Sequence, residues 1–192
     1  MNRKIISIAG KNLIKINTTI ENLGFNPEPL MILFHLNYGY PLVSPDSKFF
    51  APIMRVIPRD NEAAADNGVE NFDKLHEPTP NYKEKVFFLE LKSDDDFNTQ
   101  ILLYNGKLQF GIVERFNLKE CPKFTMWKQM GENDYVLGLE PGTATPIGRD
   151  KVRKKGELLF IEPGEIKEFH IEVEILEGME KINTEKKKID NI

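Results

Sequence analysis

Apolar residues in this chain recur chiefly at every second position, the period of a strand with one dry and one wet face. The clearest case runs from Phe169 to Ile175, where Phe169, Ile171, Val173 and Ile175 alternate with His170, Glu172 and Glu174. β-rich segments of the same kind are expected at Leu13 to Ile20, Met31 to Leu36, Lys48 to Ile57, Lys85 to Leu91, Thr99 to Tyr104, Leu108 to Val113, Tyr135 to Leu139 and Glu157 to Ile161. Together they predict about nine or ten strands. Asn105-Gly106, between two apolar runs, has the chemistry of a type I′ hairpin, whose central residues must tolerate positive φ. Pro163-Gly164 suits a type II turn ahead of the last strand. Helix is scarce, since Asn61 to Asp66 is the one Ala-rich stretch and is about one turn long. The pattern predicts an all-β fold, an antiparallel β-sandwich.

The ends and one loop depart from this pattern. After Leu176 the chain turns Glu- and Lys-rich, with few apolar residues. Residues 1–176 are therefore read as one domain and Glu177 to Ile192 as a charged, disordered tail. The segment from Arg59 to Lys83 is long for a loop and rich in Asn, Asp, Glu and Pro, a profile suited to a lid or rim.

Composition narrows the partners. At 192 residues the chain is long enough to bury one core, and its net charge is -4. No basic stripe offers a nucleic-acid surface. Lys4, Lys11 and Lys15 break up any export signal near the amino terminus. The runs Leu30 to Leu36 and Val86 to Leu91 are too short to span a bilayer, so no membrane partner is expected. Cys121 stands alone, which fits a reducing compartment and makes the cytoplasm the expected location.

Three histidines limit the acid–base candidates. His170 falls on the wet face of its strand and His76 in a polar loop, as a rim contact or an idle surface residue. His35 interrupts the apolar run Met31-Ile32-Leu33-Phe34 and precedes Leu36-Asn37-Tyr38-Gly39-Tyr40-Pro41-Leu42. It fits either a buried structural histidine or a group presented to a ligand. Glu140 ends the apolar strand Leu137-Gly138-Leu139 before Pro141-Gly142, where a sheet rim can offer a carboxylate to a ligand or merely to water. Asp94, Asp95 and Asp96 read as a solvated turn. Metal-ligand spacing, a nucleophile elbow and a phosphate-binding Gly loop are all missing, so neither a cofactor nor a metal is expected.

Several stretches taken together resemble the galactose-mutarotase superfamily, and more closely a bacterial aldose 1-epimerase-like family of unassigned function. They are Ile20-Glu21-Asn22-Leu23-Gly24, Phe34-His35-Leu36-Asn37-Tyr38-Gly39-Tyr40-Pro41-Leu42, Ile57-Pro58-Arg59-Asp60, Met126-Trp127-Lys128, Leu139-Glu140-Pro141-Gly142-Thr143 and Gly148-Arg149. The resemblance implies the carboxy-terminal half of a supersandwich fold and a sugar as ligand. It implies anomer interconversion with Glu140 as base and His35 as acid, without a cofactor. It points to Asn37, Tyr38, Arg59 and Arg149 as sugar contacts, with Trp127 either a stacking face or a core residue. No position matches the third, substrate-binding acidic residue of aldose epimerases. Half a sandwich would leave open edges, so a homodimer or a partner chain completing it is expected. A non-catalytic sugar-binding module, or an inactive remnant of an epimerase, is the alternative reading.

Overall fold

The computed structural model describes residues 1–192. In chain order the strands are β1 (Asn2–Ser7), β2 (Leu13–Glu21), β3 (Glu28–Leu30), β4 (Leu36–Gly39), β5 (Ser47–Phe50), β6 (Ile53–Pro58), β7 (Lys85–Leu91), β8 (Asn98–Asn105), β9 (Phe110–Asn117), β10 (Lys123–Met130), β11 (Tyr135–Gly142), β12 (Leu159–Ile161) and β13 (Ile166–Glu177). Three helices accompany them: α1 (Asn61–Ala64), α2 (Arg149–Lys154) and α3 (Met179–Asp190). A six-stranded sheet of order β1-β2-β13-β9-β8-β5 faces a five-stranded sheet of order β4-β11-β10-β7-β6, and every strand pair is antiparallel. This is the β-sandwich that the alternating pattern predicts.

Period-two side chains fill the space between the sheets. Phe87, Leu89, Phe124, Met126, Leu137 and Leu139 come from the smaller sheet, and Ile101, Leu103, Ile112, Phe116, Phe169 and Ile171 from the larger. The rings of Phe116 and Phe124 stack across the interface, their centroids 5.7 Å apart. Because inward residues alternate with outward ones, each strand also presents a second face, and the outer face of the smaller sheet carries the candidate site.

Several expectations need correction. The stretch read as a disordered tail forms α3, whose Ile182, Glu185 and Ile189 are buried. Glu and Lys are good helix formers. Two isoleucines seven residues apart suffice for docking because Leu102, Tyr104, Val113 and Leu176 on the larger sheet already supply an apolar bed. Arg115 fastens the helix by pairing with Glu185 at 3.0 Å while also holding Glu174. The expected strand from Lys48 to Ile57 is two strands in different sheets, β5 and β6, parted at Ala51-Pro52. The strand expected at Met31 to Leu36 instead starts at Leu36, preceded by an isolated bridge from Leu33 to Gly142. β1 and β10 carry no clean alternation and were not expected.

The two turns divide. Asn105-Gly106 opens a hairpin but not a type I′ turn: the loop runs from Gly106 to Gln109, and the positive φ (53°) falls on Gln109. The Asn105 side chain accepts from the amides of Lys107 and Leu108, so it caps the loop instead of occupying a left-handed position. Pro163-Gly164 meets its expectation, with Gly164 at φ 75° and the Glu165 amide donating to the Glu162 carbonyl at 2.9 Å. The loop from Arg59 to Lys83 plugs one end of the sandwich: Phe72 packs on Phe49 and Phe87, and Leu75 is buried.

Candidate functional site

Glu140 lies in β11, and its neighbours across the sheet build the site around it. Asn37 of β4, Gly138 of β11, Trp127 of β10 and Val86 of β7 form one cross-strand row, while Glu140, Thr125 and Phe88 form the next. Directly paired residues share a sheet face, so these side chains stand opposite Leu137, Leu139 and Met126, which are in the core. His35, just ahead of β4, reaches the end of the second row, and its Nε2 stands 3.0 Å from Glu140 Oε1. The two line one hollow of about 310 Å³ together with Arg59, Glu84, Thr125 and Trp127. That volume lies at the lower end of small-molecule sites and suits a single ring.

Each group in the hollow is held. The His35 imidazole is exposed, and its Nδ1 lies 2.9 Å from Asn37 Oδ1. With the amide oxygen accepting, Nδ1 carries a proton and Nε2 is turned to the carboxyl group. The Trp127 ring and the imidazole meet edge to face, centroids 5.4 Å apart. Glu140 is only 2% exposed. Its contact with His35 is an ion-pair contact, and Oε1 has no hydrogen-bond partner in the protein. Burial, and then the neighbouring charge of Glu84, push the Glu140 carboxyl up to about 7. The buried hydroxyl of Thr125 also lacks a partner. Two such orphaned polar atoms beside one hollow are groups that a polar ligand or water would satisfy.

Glu84 organises the other wall. It accepts from Trp127 Nε1 at 2.7 Å and from Arg59 Nη2 at 2.9 Å, and these hydrogen bonds hold its carboxyl below the usual range. Arg59 also donates through Nε to Asp60 at 2.8 Å. The two ends of the long loop, Arg59 and Glu84, thus meet in the hollow, which gives this loop the rim position expected of it.

The sequence-derived candidates separate cleanly. His35, Glu140, Arg59 and Trp127 line the hollow, and Asn37 supports His35 from the adjoining row. Tyr38 does not belong with them. It pairs with Leu137 on the core face, and its hydroxyl donates to Glu114 at 2.6 Å, because alternation turns every second residue of β4 away from the site. Arg149 is exposed at the first position of α2 and lies outside the hollow. His170 faces solvent and pairs with Glu120 at 3.0 Å, and His76 rests on Tyr82. Glu84 and Thr125 escaped the sequence reading: Glu84 sits in Lys83-Glu84-Lys85, which looks like any solvated charge run. No three His, Cys, Asp or Glu side chains gather in a way that could hold a metal ion. A larger hollow of about 600 Å³ on the other sheet's outer face includes Arg115 and His170, but both already have carboxylate partners.

A family model described as a domain of unknown function, DUF4432, matches residues 1–175. The chain belongs to this family. No curated protein sequence matches this DUF4432 chain. Among solved structures it is similar to a candidate aldose 1-epimerase from Klebsiella pneumoniae, at 24% identity and a TM-score of 0.94, covering 99% of this chain and 50% of that one. It is also similar to a galactose mutarotase related enzyme from Lactobacillus acidophilus, at 15% identity and a TM-score of 0.60, covering 85% and 57% of the respective chains. A galactose mutarotase-like protein from Clostridium acetobutylicum matches at 17% identity and a TM-score of 0.57, covering 85% and 52%. These likenesses establish the fold of the DUF4432 chain as a galactose mutarotase-like β-sandwich. The chain spans roughly half the length of these structures. No helix is long and apolar enough to cross a membrane.

Proposed function

We propose that this chain binds an aldose or modified aldose and interconverts its anomers, with Glu140 and His35 as the acid–base pair. The observation that carries the reading is the 3.0 Å approach of His35 Nε2 to Glu140 Oε1 at the edge of one ring-sized hollow. Anomer exchange requires a proton to leave the anomeric hydroxyl while another reaches the ring oxygen. Both oxygens are bonded to the same carbon, so a base and an acid that stand side by side can serve them together. The Glu140 carboxylate takes the hydroxyl proton and the His35 imidazolium protonates the ring oxygen as its bond to the anomeric carbon breaks. A carbonyl forms, the bond beside it rotates, and reclosure on the other face returns each proton to its donor. A base poised near 7 matches neutral conditions, where proton transfer in both directions is easy.

The remaining groups have supporting roles in this reading. Asn37 fixes the imidazole, Trp127 offers an apolar edge to the ring, and Arg59 presents donors to hydroxyl groups. Glu84 takes the place of the third acidic, substrate-binding residue, since it lies between His35 and Glu140 in the chain and shares their hollow. The buried, unpaired thiol of Cys121 is in keeping with the cytoplasm as the site of action. Saturation-transfer NMR over a panel of aldoses is the direct test: faster anomer exchange with at least one sugar is the expected result. A sugar that binds without faster exchange would make the chain a carbohydrate-binding module, and neither binding nor exchange would overturn the sugar reading.

We also propose that a second copy of the chain completes the sandwich. Every residue of edge strand β1 is exposed, leaving its backbone free to pair, and the apolar Ile5, Leu23 and Phe25 are exposed. A dimer closed by two β1 edges about a two-fold axis buries such a strand at the least cost. Light scattering after size-exclusion chromatography is expected to give about twice the 22.1 kDa chain mass. A stable soluble monomer would refute it.

A further inference from the structure

We infer that Gly138 is a positioning residue for Glu140, its missing side chain forming the notch in which the carboxyl group rests. The inference rests on the reading of Glu140 as the base. Gly138 and Glu140 are two apart in β11 and so lie on the same sheet face, where a side chain at 138 would ordinarily occupy the space behind 140. Here that space is filled by the Glu140 carboxyl itself, folded back along its own strand. A Cβ placed on Gly138 would come inside 3.0 Å of Glu140 Oε1 and to 3.3 Å of its Cδ, with Trp127 Cε3 at 3.2 Å on the other side.

The oxygen that would be expelled is the one that stands 3.0 Å from His35 Nε2. The neighbours in the same row, Asn37 and Trp127, are bulkier and wall the notch on either side: Asn37 holds the imidazole and Trp127 is held by Glu84. A side chain at 138 therefore has no room to turn aside without disturbing one of them. The atoms it would meet are side-chain ends, not backbone, so the carboxyl group moves before the sheet does. Gly138 also has no positive φ, so its identity is not demanded by backbone conformation. Space for the carboxyl is what remains to explain it.

Gly138→Ala tests this, with Gly39→Ala in β4 as the control, since a Cβ at Gly39 meets only an ordinary contact at 3.6 Å. In a crystal structure of Gly138→Ala the sheet is expected to superpose on the parent while Glu140 Oε1 leaves its place beside His35. Its thermal midpoint should stay close to that of Gly39→Ala. With a sugar whose anomers the parent exchanges, kcat should fall about a hundredfold with KM little changed, the loss typical of a catalytic group moved by about an ångström. Finding the carboxyl group still beside His35 in the variant would overturn the positioning role, whatever the activity. A displaced carboxyl in a variant with full turnover would uphold the notch and instead remove Glu140 from the chemistry.

Discussion

Replacing Glu140 by glutamine is expected to lower anomer exchange by about 10² to 10⁴-fold, the usual worth of one positioned proton-transfer group. The amide keeps the shape of the side chain in its notch over Gly138 but cannot accept the hydroxyl proton. Folding should survive, because Glu140 Oε1 has no hydrogen-bond partner in the protein to lose. His35→Ala should cost a similar factor, and the double variant much less than the product of the two, since both residues act in the same ring-opening step. The pH profile supplies an independent readout. Exchange needs the carboxylate form of Glu140, and burial has raised that group to about 7, so activity should fall as pH drops through that value. A Glu140→Gln protein with undiminished exchange, or a profile flat between pH 5 and 8, would remove Glu140 from the role of base.

The second large effect concerns stability. Glu114, inward-facing on β9, is wholly buried and holds one hydrogen bond, from the Tyr38 hydroxyl, while its Oε2 has no partner. Burial, reinforced by the charge of Glu140, raises its carboxyl from 4.5 to about 8. Between those values the folded chain keeps a proton that the unfolded chain has released. Stability from this group is therefore fully present below about 4.5 and lost as pH rises through 8. The loss is on the order of 5 kcal/mol at about 1.4 kcal/mol per pH unit, less whatever relaxation or water entry recovers. Glu114→Gln keeps an oxygen for Tyr38 but never ionises. Its thermal midpoint should match the parent near pH 4.5 and exceed it by roughly 10 °C at pH 9, taking about 2–4 °C per kcal/mol for a chain of this size. A difference between the two midpoints that does not change with pH would contradict a buried, proton-bearing Glu114.

Local pattern made much of the architecture legible. Alternation in Phe169 to Ile175 defined a strand with Phe169 and Ile171 inward, and both are in the core. Pro163-Gly164 specified its turn because only the conformational tolerance of two adjacent residues was at stake. β10 was invisible because Lys123 to Met130 mixes charge into its dry face, where Lys128 is buried by donating to the carbonyl of Lys74 in the long loop. α3 was misread for the converse reason: its own sequence is too polar to form a core, and the apolar bed that docks it belongs to strands 60 or more residues away in some cases, such as Leu102 and Val113.

The same division runs through the site. The chain by itself determined that His35 and Glu140 were unusual, since each breaks an apolar run, and the resemblance to aldose epimerases put them together with Arg59, Asn37 and Trp127. Only the tertiary structure decided which face each residue occupies. A shift of one position along a strand sends a side chain to the opposite side of the sheet, and this places Asn37 beside the imidazole and Tyr38 in the core against Glu114. Glu84 and Thr125 enter the site solely because β10, which carries Thr125, lies between β11 and β7, the strand that Glu84 precedes. Strand pairing joins residues remote in sequence, and no local period records which strands will meet.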